Sequence, residues 1–171
     1  MFNEKCVFAG SFDPVTTGHM DIIGKCAMMF KEVVVAIGVN NQKKYVFPLE
    51  VRFKMLRAAC EKYSSVTVKA FDGYVADFLK EENTKFYVRG IRDGKDMDYE
   101  EKSFEFSVKL FPEMETLFVN CSKETKSVSS TLVKQLIKDG KPFEKYIPRE
   151  ALPLLRGIKR RPKSFKDLKY R

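Results

Sequence analysis

The sequence predicts an α/β fold, a doubly wound parallel sheet of five strands with helices on both faces. Three observations lead there. Short β-branched or aromatic runs, each bounded by polar or glycine-containing segments, recur along the chain. Between them, apolar residues step by three or four positions, as on one face of a helix. The resulting order βαβαβαβαβα leaves a parallel sheet as the consistent arrangement, because each strand is followed by a crossover.

The elements follow in order. Val7 to Ala9 is the first strand, and Met20, Ile23, Ala27 and Phe30 mark the helix after it. Val33 to Val39 (VVVAIGV) is the second strand, followed by a helix carrying Leu49, Phe53, Leu56 and Cys60. Val66 to Phe71 gives the third strand and Tyr74 to Glu82 its helix; Phe86 to Val88 gives the fourth strand, with a helix from Met97 to Phe111. Thr116 to Val119 is the fifth strand, and the helix Ser129 to Asp139 is closed by Gly140 and Pro142. Sheets of this kind bind ligands beyond the carboxyl ends of their strands, where the strand order reverses. The stretch GSFDPVTTGH, Gly10 to His19, directly follows the first strand and should lie in that crevice.

A length of 171 residues with 44% hydrophobic residues and 15 Phe suits one domain with a real core. The boundary falls at Leu155: residues 1–155 form the domain and residues 156–171 a basic tail. That tail holds eight Lys or Arg against one Asp, so it carries +7 of the net charge of +9. A mobile appendage or a fraying terminal helix is expected there. The basic tail leaves a nucleic-acid-binding module as a lesser alternative function, but its charge is not interleaved with base-stacking aromatics and no specific nucleic-acid partner is expected. VVVAIGV is too short to cross a bilayer and MFNEKCVFAG has no signal-peptide layout, so no membrane association and a cytoplasmic location are expected. Cys6, Cys26, Cys60 and Cys121 form no CxxC pair, and His19 is the sole histidine, so no protein-borne metal site is expected and the thiols read as reduced core residues.

The usual phosphate-binding and hydrolase signatures are missing. None of the Gly-Lys pairs at 24, 94 and 140 continues to Ser or Thr, and no GxGxxG, GxSxG or HExxH occurs. Another arrangement remains. Gly10 lets the backbone leave the strand tightly, Pro14 stiffens the turn, and Gly18 leaves room at the start of a helix whose free N–H groups attract anions. His19 sits in that first turn, where the helix dipole favours its neutral form while one ring N–H can still meet a phosphoryl oxygen. It reads equally as a half-exposed histidine at a helix start. Arg89 and Arg92 bracket Gly90 and Ile91 at the end of the fourth strand, as a fork for phosphate or as solvated charges. Val128, Ser129, Ser130 and Thr131 open the last helix as an anion cradle or as a simple N-cap. Lys43 and Lys44 add cations at the same edge.

Together these segments resemble the nucleotidyltransferase superfamily with a [TH]xGH motif, here Thr16-Thr17-Gly18-His19. Within it they resemble the bacterial phosphopantetheine adenylyltransferases: GSFDPVTTGHMDII is similar to GTFDPxTxGHxDII, YVRGIRDGKDMDYE to xxRGLRxxxDFEYE, and SVSSTLVK to xISSSLVK. The likeness covers roughly residues 5–150 and implies a Rossmann-like fold. It also implies transfer of the adenylyl group of ATP, with Mg2+, to 4′-phosphopantetheine, giving dephospho-coenzyme A and pyrophosphate in coenzyme A synthesis.

By the same resemblance His19 would contact the α-phosphate, Ser11 and Phe12 would line the nucleotide and substrate pocket, and Lys43 and Arg89 would grip the acceptor phosphate. The backbone of Val75 would meet the pantetheine arm. Gly90, Ile91, Arg92 and Glu100 would hold the adenosine end and phosphates. The loop of Thr125, Lys126, Ser127, Val128, Ser129, Ser130 and Thr131 would bind the pyrophosphate portion. A homohexamer is implied as well. The chain departs from the family pattern at Thr125 and Ser127, where aromatics are common, at Asn41 in place of a proline, at Asp93-Gly94, and in the basic tail.

Two other superfamily readings stand beside this one. Nicotinamide-mononucleotide adenylyltransferases usually show a further His where this chain has Thr16. Cytidylyltransferases, including those acting on glycerol phosphate, usually carry an RTEGISTT-like segment where this chain has KETKSVSST.

Overall fold

Parallel strands cannot be joined by tight hairpins, so every pair here needs a crossover, and the apolar helix faces supply them. The computed structural model describes residues 2–40, 42–92 and 107–156. Strands β1 (Phe2–Gly10), β2 (Phe30–Val39), β3 (Val66–Asp72), β4 (Phe86–Ile91) and β5 (Glu115–Asn120) form one parallel sheet in the order β3-β2-β1-β4-β5. The helices are α1 (Thr17–Met29), α2 (Leu49–Cys60), α3 (Val75–Glu81), α4 (Ser130–Lys138) and α5 (Leu152–Arg156), with a 3-10 turn at Glu144–Tyr146. From β1 the chain steps outward through β2 to β3, then returns to the other side of β1 for β4. The reversal lies between β1 and β4, whose carboxyl ends are Gly10 and Ile91.

Alternation along the central strands feeds two cores. Cys6 and Phe8 of β1 face the larger one, with Ile22, Ile23 and Cys26 of α1, Met55 and Leu56 of α2, and Val133 of α4. Val7 and Ala9 face the opposite core, with Val34, Phe78, Leu79 and Tyr87. Cys6 through Ala9 are nearly inaccessible to water, as a sheet covered on both faces requires.

The strands run longer than the apolar runs alone suggest. Phe30, placed by periodicity at the end of the first helix, opens β2 instead: its amide still closes α1 by donating to the Cys26 carbonyl, while its backbone is already extended. Its buried ring packs against Phe2 and Phe86, with centroids 5.3 and 5.8 Å away, and this cluster holds the polar-looking start of β1 in the sheet. Ser129 and Asp139 are the caps of α4 rather than its first and last turns. Of the helix expected from Met97 to Phe111, residues 107–110 are helical and residues 97–106 lie outside the described set. Leu152, Leu154 and Leu155 pack against the larger core just before the basic segment, of which residues 157–171 lie outside the described set.

None of the four cysteines is bridged in a disulfide. A hydrogen bond with Cys26, and then burial, pushes the Cys6 thiol far up, and burial raises Cys60 to about 12. Neither is a nucleophile at neutral pH.

Helix α1 crosses the sheet where β4 has no side chain. A Cβ at Gly90 would stand 2.9 Å from Cγ1 of Ile22, closer than carbon atoms approach without displacement. Gly90→Ala is therefore expected to destabilise the fold by about 1–3 kcal/mol, the usual range for overpacking a filled core. Urea unfolding measures this, and a variant as stable as the parent would show that α1 can move away freely.

Candidate active site

The turn after β1 is held in an unfavourable backbone shape by two buried charges. Phe12 has φ +44, in the left-handed region that non-glycine residues avoid. Its ring is buried, edge-on to Phe8 at 5.7 Å and 4.8 Å from the imidazole of His19. Arg52, only 2% exposed, donates from Nη1 to the Ser11 carbonyl at 2.7 Å and from Nε to the Phe47 carbonyl at 3.0 Å, with its guanidinium 4.0 Å over the Tyr45 ring. Asp13 accepts from the amides of Val46 at 3.0 Å and Phe47 at 2.8 Å and from Lys134 Nζ at 3.3 Å. These bonds join the turn to the loop that carries Lys43. Neither Asp13 nor Arg52 was singled out from sequence, although Arg52 stands at helical spacing before the buried Leu56 and Cys60, a position where a charge signals a partnered core role.

Thr16 is the N-cap of α1, and its hydroxyl accepts from the His19 amide at 3.3 Å. In return the Thr16 amide donates to Nδ1 of His19 at 3.0 Å. A backbone N–H can only donate, so Nδ1 is unprotonated and the neutral ring carries its proton on Nε2. Burial, and then the positive charge of Arg92, lowers the His19 pKa to about 4. The neutral form expected from the helix dipole is thus favoured chiefly by burial and by Arg92.

Two cavities meet at this turn. One, of about 300 Å³, is lined by Gly10, Gly18, His19, Arg89, Gly90, Arg92 and the run Val128, Ser129, Ser130 and Thr131. The other, of about 200 Å³, is lined by Ser11, Asn40, Lys43, Gly73, Val75, Tyr87 and Arg89. Arg89 borders both, its Nη1 donating to the Tyr87 hydroxyl at 2.7 Å. Lys43 is exposed and reaches the Ser11 hydroxyl at 3.4 Å. Ser129 caps α4 by accepting from the Leu132 amide at 3.0 Å, and Ser130 donates to the Pro14 carbonyl at 2.8 Å.

The remaining sequence candidates sit elsewhere. Phe12 and Ile91 are buried and line neither cavity. Thr125, Lys126 and Ser127 form the approach to Val128, with the Thr125 hydroxyl turned to Asp21 at 2.8 Å. Glu100 lies outside the described residues. Among the described residues no three His, Cys, Asp or Glu side chains converge to hold a metal ion.

What the arrangement offers is Arg89 and Arg92 with a helix start and one neutral N–H donor around the first cavity, and Lys43 with Arg89 around the second. It can hold and align phosphates.

The lowered His19 pKa has a stability consequence. Between about pH 4 and its ordinary value of 6.5, the unfolded chain binds a proton at His19 that the folded chain does not, so stability falls as pH drops through that window. Urea unfolding of the wild type and of His19→Gln across pH 4.5–7.5 should show the wild type losing ground to the variant on acidification. A difference that does not change with pH would mean the imidazole titrates normally.

The comparisons with known proteins agree with this architecture. The cytidylyltransferase-like family model matches residues 7–136. The phosphopantetheine adenylyltransferase of Shouchella clausii is 33% identical over 158 residues, covering 92% of this chain and 99% of its own. That of Clostridium tetani is 38% identical over 146 residues, covering 85% and 91%. Among solved structures, a bifunctional NMN adenylyltransferase/ADP ribose pyrophosphatase from Francisella tularensis superposes with a TM-score of 0.70 at 18% identity. It covers 98% of this chain, which spans about half (52%) of that longer protein, and the likeness is one of fold. With the relatives matched along nearly their whole length and the GSFDPVTTGH turn leading from β1 into the start of α1 at the cavity, the chain belongs to the phosphopantetheine adenylyltransferase family of cytidylyltransferase-like nucleotidyltransferases.

Proposed function

We propose that this chain transfers the adenylyl group of ATP to the phosphate of 4′-phosphopantetheine, releasing pyrophosphate and forming dephospho-coenzyme A. The observation that carries the reading is Arg89, which borders two adjoining cavities of unequal make-up. The one with His19, Arg92 and the start of α4 suits a triphosphate; the one with Lys43, Val75 and Gly73 suits a phosphate on an extended arm. The names of the relatives support the pairing of these substrates.

The chemistry asks little of acid or base groups. The acceptor is already an anionic phosphate, so its oxygen attacks the α-phosphorus directly as the bond to the bridging oxygen of the leaving pyrophosphate breaks. Alignment and charge stabilisation remain as the protein's tasks. His19 donates its Nε2 proton as a hydrogen bond to an α-phosphoryl oxygen while charge shifts. Arg89 and Lys43 hold the acceptor phosphate against that centre. The early amides of α4, at Ser130 and Thr131, carry the partial positive charge of a helix start toward the pyrophosphate. Magnesium enters bound to ATP as part of the substrate. Asp13, the carboxylate nearest the turn, is occupied by Val46, Phe47 and Lys134.

The same reading brings the family's homohexamer and a cytoplasmic setting. Phe2 and Met28, 55% and 69% exposed, are apolar surface that an assembly would cover. Among the described residues no helix is long and apolar enough to cross a membrane.

Pyrophosphate release from ATP or CTP, assayed against 4′-phosphopantetheine, nicotinamide mononucleotide and glycerol phosphate, tests the assignment. Turnover is expected only with ATP and 4′-phosphopantetheine, and preference for another pair would replace the reading. His19→Ala should lower kcat about 10²-fold or more with little change in ATP affinity, because its bond strengthens as charge develops. An unchanged kcat would remove His19 from the reaction. Arg89→Lys should raise KM for 4′-phosphopantetheine, since a point charge cannot replace a bidentate fork. Loss of ATP affinity alone would reverse that assignment.

A further inference from the structure

Asp21 lies on α1 two residues beyond His19, and the reaction described above gives it no role. Its side chain is 14% exposed, yet it is among the most heavily bonded carboxylates in the described structure. It accepts from the Ser122 amide at 2.6 Å, the Ser122 hydroxyl at 2.8 Å, the Thr125 hydroxyl at 2.8 Å and Lys25 Nζ at 3.2 Å. Lys25 also donates to the Asn120 carbonyl at 2.7 Å and the Ser122 hydroxyl at 3.0 Å, so the end of β5 is tied to the same helix. Charge-assisted bonds of this kind are about twice as strong as neutral ones.

A second contact fixes the far end of the same loop. Gly18 lies one helical turn before Asp21, and a Cβ there would stand 3.1 Å from the Val128 carbonyl and 3.6 Å from that of Thr125. The Val128 amide donates to the Thr125 carbonyl at 2.9 Å and closes the turn between the two anchors. Residues 122–128 therefore take their position from the helix that carries His19, and they deliver Val128 through Thr131 to the larger cavity.

We propose that Asp21 is a positioning residue that sets the affinity for the nucleotide by fastening the Ser122–Thr125 turn to α1, so that the α4 phosphate cradle and His19 keep one fixed separation. This rests on the adenylyl-transfer reading. Burial alone would raise the carboxyl of Asp21, but the Ser122 amide, the two hydroxyls and Lys25 outweigh it and hold the pKa near 2, so the anchor stays ionised throughout the working range. Ser11, Lys43 and Val75 line the second cavity and not the first, so the acceptor side should be spared.

The test compares Asp21→Asn, Thr125→Ala and the double variant with the wild type, reading ATP affinity by calorimetry and KM for each substrate. Asp21→Asn keeps the shape but loses the charge, and should weaken ATP about tenfold while KM for 4′-phosphopantetheine stays within about twofold. Thr125→Ala should lose less, Thr125→Ser should restore affinity, and the double variant should match Asp21→Asn alone, since both act through one network. Amide exchange at Ser122 without nucleotide should quicken in Asp21→Asn. Unchanged ATP affinity, equal loss for both substrates, or additive effects in the double variant would overturn the proposal. Should Asp21→Asn fail to fold, the Thr125→Ala and Thr125→Ser pair decides, and equal affinity in the two would overturn it. A wild type that neither binds nor turns over ATP would sink the function itself, and with it the positioning of a nucleotide, even where quickened exchange shows the fastening to be real.

Discussion

Helix α1 presses Ile22 into the space that Gly90 leaves open on β4, and the geometry of the site follows from that contact. It brings the first turn of α1 over the carboxyl ends of β1 and β4, the two strands between which the order of the sheet reverses. A side chain on β4 at that point would lift the helix and widen every distance measured from it. The same helix meets the loop before α4 at Gly18, again without a side chain in between. Two glycines thus let three segments distant in sequence approach one centre.

The electrostatics is divided between groups that face the cavities and groups that never reach them. Arg89, Arg92 and Lys43 bring positive charge to the walls of the two cavities. Arg52, Asp13 and Asp21 are bonded to backbone groups, and their work is to keep loops in place. Buried or half-buried charges with such partners are costly to break, which makes the loops behave as parts of the sheet. His19 combines both roles. Its Nδ1 is taken by the Thr16 amide, which closes the helix start and at the same time leaves the proton on Nε2. One residue pair therefore settles a cap and a tautomer.

The fold was legible because parallel α/β chains write it plainly: strands buried on both faces are short apolar runs, and amphipathic helices repeat every three or four residues. Strand ends were less so. Phe2 to Lys5 reads as a polar lead-in, and only the packing of Phe2 against Phe30 draws it into β1. Phe30 fits the helical spacing of α1 equally well, and the register with Phe2 decides that it belongs to β2.

For the site, the sequence by itself determined the chemical types and their approximate place: a lone histidine behind a Gly- and Pro-bearing turn, arginines after the fourth strand, hydroxyls opening the last helix. These are local features, and local backbone preferences record them. Only the tertiary structure decided which of them meet. Val128 through Thr131 border the cavity while the Thr125 hydroxyl turns back to Asp21, although only a few residues separate them along the chain. Ser122 and Thr125, which bind Asp21, stand about a hundred positions away along the chain, and the bonds from Asp13 to Phe47 and from Arg52 on α2 to Ser11 likewise join segments distant in sequence. Such pairings depend on where the sheet brings its strand ends together, and no local preference encodes that.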